Sequence, residues 1–191
     1  MIEQLYELNI YENIEKILEE NLQDINTSRT SSRIIFPTFP DKKANYPTIT
    51  LEITSPQYES VSAGDVFHTI KEDDIFIEYF AKKAKSNMNI YCFSSKEEIY
   101  NAVINNNVIA LKGKNVSYYY AKQCLNILRE KRKELLEFLN DIIDTQISDT
   151  FEDDKFGWTS VLNAEIIYDD IWCNKYVKGQ LIESYSLTLN I

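Results

Sequence analysis

Alternating apolar and polar residues in the segment NYPTITLEITSP, residues 45–56, predict a β-strand. Side chains of a strand alternate between its two faces, so Ile49, Leu51 and Ile53 share one side. The other side carries Thr48, Thr50, Glu52 and Thr54. Proline lacks the N–H that a strand donates to its neighbour, so Pro47 and Pro56 mark the two ends. The pattern predicts a strand with one buried face and one solvent-exposed face.

Two other segments carry apolar residues spaced three and four positions apart, which is typical of helices. The first runs from Ile10 to Ile25 and ends at a polar run, residues 26–32. The second runs from Ala121 to Gln146 and predicts one long helix laid on a sheet. A coiled coil is disfavoured, because Arg132 and Gln146 stand in the apolar stripe.

A short helix is predicted in the segment KEEIYNAVINN, residues 96–106, with Ser94 or Ser95 as its N-cap. This helix would turn Ile99, Ala102 and Val103 inward. The next residues, VIALKGKN, suggest a short hairpin or connector around Gly113.

Further strands are predicted in RIIFP, in IFIEYF before a turn at residues 81–86, in NMNIYCF, in LNAEIIYDDIWC before a turn at residues 174–179, and in ESYSLTLNI at the end. Residues 57–73 show no sustained period, so they are interpreted as a loop or an irregular hairpin arm. Helices and strands that are segregated along the chain favour an α+β fold. We therefore expect an antiparallel or mixed sheet flanked by an N-terminal helix, a short helix and one long helix. The prediction is a single domain over residues 1–191, with 113–154 a possible helical insertion.

Charge and composition narrow the classes of function. The net charge of −10 argues against a duplex-binding surface, which needs clustered Lys and Arg. The one basic cluster, residues 129–133, lies among acids and is typical of a solvated helix face. The chain contains no apolar run of the roughly 18 residues that a spanning helix needs, and its acidic start differs from a secretory signal. We expect the protein to be made in a cytosol.

Motifs for cofactor, metal or nucleophile chemistry are not found. The three cysteines, Cys92, Cys124 and Cys173, are far apart and form no metal-ligand spacing with the single His68, so buried free thiols are expected. The four glycines are isolated, and a phosphate-binding loop needs them clustered. The prediction is therefore no cofactor, no metal and no catalytic residue.

Acidic clusters are the remaining candidates for chemistry. They are Glu72, Asp73 and Asp74, then Glu152, Asp153 and Asp154, and also Asp169 and Asp170. Paired carboxylates can hold magnesium for nuclease chemistry, and Asp65 or Asp74 with Glu78 and Lys82 loosely imitates such a site. The spacing differs, since Glu78 and Lys82 are four positions apart where two are needed. Solvated loops explain the clusters without a metal.

Three consecutive tyrosines, Tyr118, Tyr119 and Tyr120, lie near the start of the long predicted helix. One neighbouring lysine, Lys122, is too little for a groove that binds single-stranded nucleic acid. Tyrosine is favoured at half-wet surfaces, so these side chains are predicted to anchor a helix start or to form an interface.

The order of these elements resembles the tail terminator, or tail completion, proteins of long-tailed bacteriophages. The matching pieces are the proline-led strand from Pro47 to Ile53, the strand and following Ser-x-x-Glu segment within residues 89–98, and the closing strand from Tyr185 to Ile191. The pieces cover about two thirds of the chain in outline, and residues 118–154 have no counterpart.

The resemblance implies a structural virion protein without catalysis. It implies a hexameric ring in the phage neck, assembled in the host cytoplasm, which caps the tail tube and meets the head-completion proteins, and the sheath if the tail contracts. DNA would pass through the ring without specific binding. An acidic lumen would repel phosphate, so the candidate lumen or rim acids are Glu72, Asp73, Asp74, Glu152, Asp153 and Asp154. The terminal strand would supply subunit contacts through Tyr185, Leu187 and Leu189.

Two alternatives stay open. A small metal-dependent nuclease would lose activity on Asp74→Ala. A cytosolic regulator would bind one protein partner through the long helix and would need Leu128, Leu135 and Leu139.

Overall fold

The computed structural model describes residues 3–29, 33–37, 39, 46–58, 65–72, 75–154, 157–177 and 180–186. In this part of the chain the elements are α1 (Glu3–Asn21), β1 (Ile35–Phe36), β2 (Thr48–Ile53), β3 (Gln57–Tyr58), β4 (Asp65–Glu72), β5 (Ile75–Ser94), β6 (Ile99–Ile104), β7 (Asn107–Lys112), α2 (Lys114–Glu130), α3 (Arg132–Leu135), β8 (Asp141–Asp153), β9 (Gly157–Val177) and β10 (Gln180–Ser186). The fold mixes helices with mostly antiparallel strands, and only the contact of β1 with β2 is parallel among the described pairs.

Two long antiparallel strands organise the main sheet. All 20 residues of β5 pair with β9 in one register, from Ile75 opposite Val177 to Ser94 opposite Trp158. At about 3.3 Å per residue, the pair is roughly 65 Å long. Because the register does not shift, even-numbered residues of both strands share one face of the sheet along its whole length.

One half of this strand pair, which we call the base, is covered by helices. There β2 pairs with β5 and β8 pairs with β9, while α2 packs on β5, β8 and β9, and α1 packs on β2 and α2. The buried core includes Ile14 and Leu18 of α1, Leu128 of α2, Ile90 of β5 and Leu162 of β9. Burying each such side chain contributes about 1.5–3 kcal/mol, so the base is where the sheet is stabilised.

The other half of the strand pair, which we call the arm, has different neighbours. β4 pairs with residues 75–81 of β5, and β10 pairs with residues 172–177 of β9. The even-numbered side chains of β5 are buried from Ala84 to Ser94 but are only partly buried at Phe76, Glu78 and Phe80. The helix layer therefore covers the base and leaves the arm as a single sheet.

The first helix and the proline-bounded strand lie where the sequence predicts them. α1 ends at Asn21, although Ile25 beyond it is also buried. β2 spans Thr48–Ile53, but its polar side is not wet as predicted, because Thr48 and Thr50 are buried. Phe39 packs against Tyr91 and Phe93, the cross-strand partners of those threonines, and so helps to cover that face.

The prediction of one helix from Ala121 to Gln146 is wrong in its second half. α2 ends at Glu130, α3 adds four residues, and β8 begins at Asp141. The Asn140 N–H donates to the Ile167 carbonyl of β9 at 2.7 Å, and Ile142 and Ile143 follow in the ladder. β-Branched residues suit a strand, and pairing with β9 satisfies the backbone there. Residues 113–154, predicted as a possible helical insertion, thus end in a strand of the main sheet.

The short helix predicted at residues 96–106 is also wrong, because this segment forms a β-hairpin. β6 and β7 pair around Asn105 and Asn106, whose φ angles of 50° and 62° fit a type I′ turn. Ser94 does not cap a helix. Its hydroxyl donates to the Gly113 carbonyl at 2.8 Å, and the Ser95 hydroxyl accepts from the Glu97 N–H at 3.3 Å.

The turns predicted at residues 81–86 and 174–179 are replaced by strand. β5 continues through its lysines because Lys83 lies on the exposed side, while the small residues Ala84 and Ser86 are buried on or next to the helix-covered side. β9 likewise continues to Val177. The segment interpreted as a loop or hairpin arm, residues 57–73, contains β3 and β4.

Tyr11 gives the fold a specific response to alkaline pH. Its hydroxyl is buried without a hydrogen-bond partner, and burial, then the neighbouring Glu15 carboxylate, raises its pKa to about 12. Tyrosines of the unfolded chain ionise near pH 10, so the unfolded state gains from deprotonation first. The stability linked to Tyr11 is therefore complete below pH 10 and is lost as the pH rises towards 12. Tyr11→Phe is expected to leave stability at pH 7 equal or higher and to flatten this loss.

Urea unfolding at pH 7, 10 and 11 measures this effect, with Tyr118→Phe as the control at an exposed tyrosine. Equal pH dependence in the parent protein and Tyr11→Phe would contradict the assignment.

Candidate interaction surfaces

The β6–β7 hairpin presents an exposed apolar face. Ile99, Val103 and Val108 are 64%, 52% and 70% exposed, and Val103 lies directly opposite Val108. The opposite face of the hairpin packs on the core through Ala102 and Leu111. Side chains alternate between the faces, so one side anchors the hairpin and the other is left uncovered in the described chain. We call Ile99, Val103 and Val108 the hairpin face.

Cross-strand aromatic pairs line the arm on the face that the helices cover further down. Phe80 stacks on Trp172 with ring centroids 5.6 Å apart, and Phe76 lies 6.0 Å from Tyr176. These residues are directly opposite in the ladder and only half-buried. Cross-strand aromatic pairs stabilise a sheet by about 0.2–1 kcal/mol each, which helps to hold the arm together without a helix layer.

Aliphatic side chains are exposed elsewhere on the arm. Leu181 of β10 is exposed, and Ile70 and Ile75, on β4 and β5, are borderline exposed. A sheet normally buries at least one face against a second layer. The arm therefore has the composition of a surface that another protein covers.

The hairpin face and the arm lie at opposite ends of the strand pair. β6 begins five residues after β5 ends at Ser94, whereas the tip of the arm is at Ile75. The two ends of β5 are roughly 60 Å apart. One chain therefore carries two different apolar surfaces that are separated by most of the length of the molecule.

A polar rung closes the lower end of the arm. Tyr58 donates to Asp170 Oδ2 at 2.6 Å, and Lys82 Nζ lies 4.6 Å from the centre of the Tyr58 ring. Lys82 and Asp170 are partners in the ladder. This rung is a structural contact of β3 with the main sheet.

The loose nuclease pattern does not converge. Glu78 and Lys82 share a face of β5, but they are about 13 Å apart along the strand with Phe80 between them. Asp65 pairs with Ala81 on β4, and Asp74 lies outside the described residues. Within the described chain, no group of three or more His, Cys, Asp or Glu side chains could hold a metal ion.

The predicted lumen acids fall into two separate places. Glu72 is the last residue of β4, at the arm tip, and Asp73 and Asp74 lie outside the described residues. Glu152, Asp153 and Asp154 lie at the turn between β8 and β9, at the far end of the base. There Lys96 Nζ lies 2.8 Å from Glu152 and 3.4 Å from Asp154, and the hydrogen bond to Glu152 raises the pKa of Lys96. Lys96 thus partly neutralises this cluster.

The three tyrosines of α2 have different surroundings. Tyr118 is 49% exposed, Tyr119 is half-buried, and Tyr120 is fully buried. The Tyr120 hydroxyl donates to Asp24 Oδ1 at 2.8 Å and accepts from the Ile25 N–H at 2.9 Å. The prediction of an interface role is wrong for Tyr120, which instead fixes the segment after α1 to α2. Burial raises the pKa of Tyr120 far above its usual range.

Other predicted residues are buried or outside the described chain. Leu128, Leu135 and Leu139 are buried in the core, so they do not form the docking stripe that the regulator alternative needs. Tyr185 pairs with Cys173 in the β10–β9 ladder, and Leu187 and Leu189 lie outside the described residues. Cys92 and Cys124 are buried free thiols, and burial, then the neighbouring Cys124 thiol, raises the pKa of Cys92.

Sequence reasoning missed both the hairpin face and the arm. The signal for the hairpin was present in INNNV, because asparagine tolerates the positive φ angles that a two-residue hairpin turn requires.

Comparison of the chain with protein-family models and with curated protein sequences gives no match. None of the helices in the described part of the chain is long and apolar enough to span a bilayer.

Proposed function

We propose that this chain is a structural protein of a phage neck, a tail terminator whose copies form a ring that caps the tail tube. The observation that carries the proposal is the pair of exposed apolar surfaces at opposite ends of one chain, the hairpin face and the arm. A ring forms when one surface of a subunit binds a different surface of the next, so it needs two distinct contact surfaces on each copy.

Other contacts of a terminator also find a surface in this proposal. A ring that caps a tube must bind tube subunits on one side and head-completion proteins on the other. The hairpin is narrow and rigidly rooted, since Ala102 and Leu111 anchor it to the core. We assign the hairpin face to the contact with the tube, and the arm to contacts between neighbouring copies.

The charge of the chain suits a DNA conduit. A net charge of −10 per copy multiplies in a hexamer, and an acidic channel does not hold the phosphates of passing DNA. Of the two candidate acidic clusters, the one at Glu152 and Asp154 is partly neutralised by Lys96. We therefore favour the arm-tip segment that begins at Glu72 as the acid lining of the lumen.

Replacement of the hairpin face tests the proposal. Val103→Lys with Val108→Glu puts opposite charges directly across the hairpin, so the hairpin itself should be kept while its apolar face is lost. Light scattering and electron microscopy would follow the purified chain alone and with tail-tube subunits from the same genome. We expect the parent protein to form rings or to cap tubes, and the double variant to lose tube capping with an unchanged circular dichroism spectrum.

Leu136→Lys is the matched control, because Leu136 is also an exposed apolar residue but lies on α3, away from the hairpin face. It should cap tubes like the parent protein. A parent chain that stays monomeric at all concentrations and ignores tubes would refute the proposed function.

A further inference from the structure

The outward side of α2 and α3 carries a stripe of basic and polar residues. Exposed residues recur at spacings of three and four, which places them along one face of the helix. They are Asn115, Tyr118, Lys122, Asn126, Arg129 and Lys133. This stripe contains three cations, one half-exposed tyrosine and no acid. We call it the basic stripe.

The cations of the basic stripe are not neutralised within the described chain. No ion pair joins Lys122, Arg129 or Lys133 to a described carboxylate. The two other cations nearby behave differently, since Lys131 binds Glu134 at 2.7 Å and Arg132 binds Asp141. Glu130 and Glu134 lie beside the stripe on the same helices.

The exposed side of α1 has the opposite charge. Glu12, Lys16 and Glu20 are exposed and one helical turn apart. Lys16 and Glu20 are 4.0 Å apart and largely solvated, so this pair is weak. Glu15 and Glu19 add further negative charge on α1 and are held by Arg33. We call Glu12, Lys16 and Glu20 the α1 stripe.

The two stripes match in spacing as well as in sign. Lys122 and Arg129 are two helical turns apart, about 10 Å, and Glu12 and Glu20 are about 12 Å apart. Asn126 lies between the two cations, opposite the place that Lys16 takes between the two acids. The order plus, neutral, plus on α2 therefore faces minus, plus, minus on α1, and the Asn126 amide oxygen can accept a hydrogen bond from Lys16.

These stripes do not meet within one chain. α1 and α2 contact each other through other residues, as the bonds between Gln23 and Gln123 at 3.0 Å and 3.1 Å show. Both stripes point away from that contact, because their residues are exposed. We propose that the basic stripe of one copy docks on the α1 stripe of the next copy, by charge complementarity. This inference rests on the proposed function, since it names a second contact, beside the arm, by which ring subunits bind.

The contact joins two different surfaces, so repetition around an axis closes a ring rather than a two-fold dimer. Nucleic acid is the competing occupant of a basic stripe. Three cations are few for phosphate binding, and the acids of α1 and the net charge of −10 oppose it. The complementary stripe on the same chain favours a second copy.

Reciprocal charge reversal tests the contact. The first variant, Lys122→Glu with Arg129→Glu, has acids on both stripes, and the second, Glu12→Lys with Glu20→Lys, has bases on both. Sedimentation velocity over a range of concentrations at low and moderate salt measures self-association. We expect each variant alone to self-associate at least tenfold more weakly than the parent, and an equimolar mixture to regain assembly in alternating copies. Raising the salt should weaken the parent contact as well.

The outcomes separate the two proposals. Rings of the parent protein that persist unchanged in both variants would overturn this contact and leave the proposed function standing. A parent chain without self-association or tube binding would refute both. Fluorescence anisotropy with a labelled DNA is the second measurement, and binding that the first variant alone abolishes would assign the basic stripe to nucleic acid and overturn the inference. Asn115→Asp with Gln146→Glu, two exposed positions off the four charged sites, controls for added negative charge.

Discussion

Gly157→Ala is expected to lower the free energy of unfolding by about 3 kcal/mol or more. Gly157 opens β9 with a φ of +84°, a conformation that residues with a Cβ rarely adopt. A Cβ there would lie 2.4 Å from the Ser94 carbonyl oxygen, which is backbone and cannot turn away. The base end of β5 and β9 would have to separate, in the region where Ser94 pairs with Trp158.

Urea unfolding followed by circular dichroism measures this loss, and Gly113→Ala is the matched comparison. Gly113 has a φ of +55°, but its added Cβ would meet the Trp158 side chain at 3.1 Å, and a side chain can adjust. We expect a loss of about 1–2 kcal/mol there. A smaller loss for Gly157→Ala than for Gly113→Ala would contradict the packing at this turn.

Leu135→Ala is expected to destabilise the protein by about 2–5 kcal/mol, whereas Leu136→Ala should change stability by less than about 0.5 kcal/mol. Leu135 is fully buried and Leu136 is 41% exposed, although the two are neighbours in sequence and identical in chemistry. Truncating Leu135 leaves a cavity at the point where α3 gives way to β8.

The same unfolding measurement serves both leucine variants, and each is the control of the other. Equal losses would mean that the chain around α3 is turned differently from the arrangement described above. A loss confined to Leu136→Ala would also be inconsistent with it.

Elements with a complete local signal could be predicted from the sequence. α1 follows from isoleucines and leucines at helical spacing, and β2 follows from strict alternation between two prolines. The central strands were found in part, but their length was not, because the lysines in residues 82–85 resemble a turn while Lys83 only decorates the exposed face.

Other elements depend on partners that are distant in sequence. Leu139 and Ile142 continue the helical spacing of α2, yet pairing with β9 makes this segment a strand. Long-range pairing overrides a local pattern in this way, since strand propensity depends on the neighbouring strand. The arm gave no period because neither of its faces is fully buried.

The candidate surfaces were predicted less well than the fold. Tyr118 and Tyr120 are two positions apart, so a helix points them in different directions, and only one of them can be exposed. That constraint was available from the sequence. The exposure of Val103 and Val108 was not, because their alternation is equally typical of a strand with a buried face.

The unbroken register of β5 and β9 limits how the arm can move. Sliding one strand past the other by one residue would turn every side chain to the opposite side along all 20 rungs at once. Such a slip would bring the lysines and asparagines of the outer side under α2, so the arm cannot lengthen or shorten by stepwise sliding. A load at its tip is instead transmitted along the ladder to the root of the hairpin, and the strand pair acts as a lever that bends as one piece.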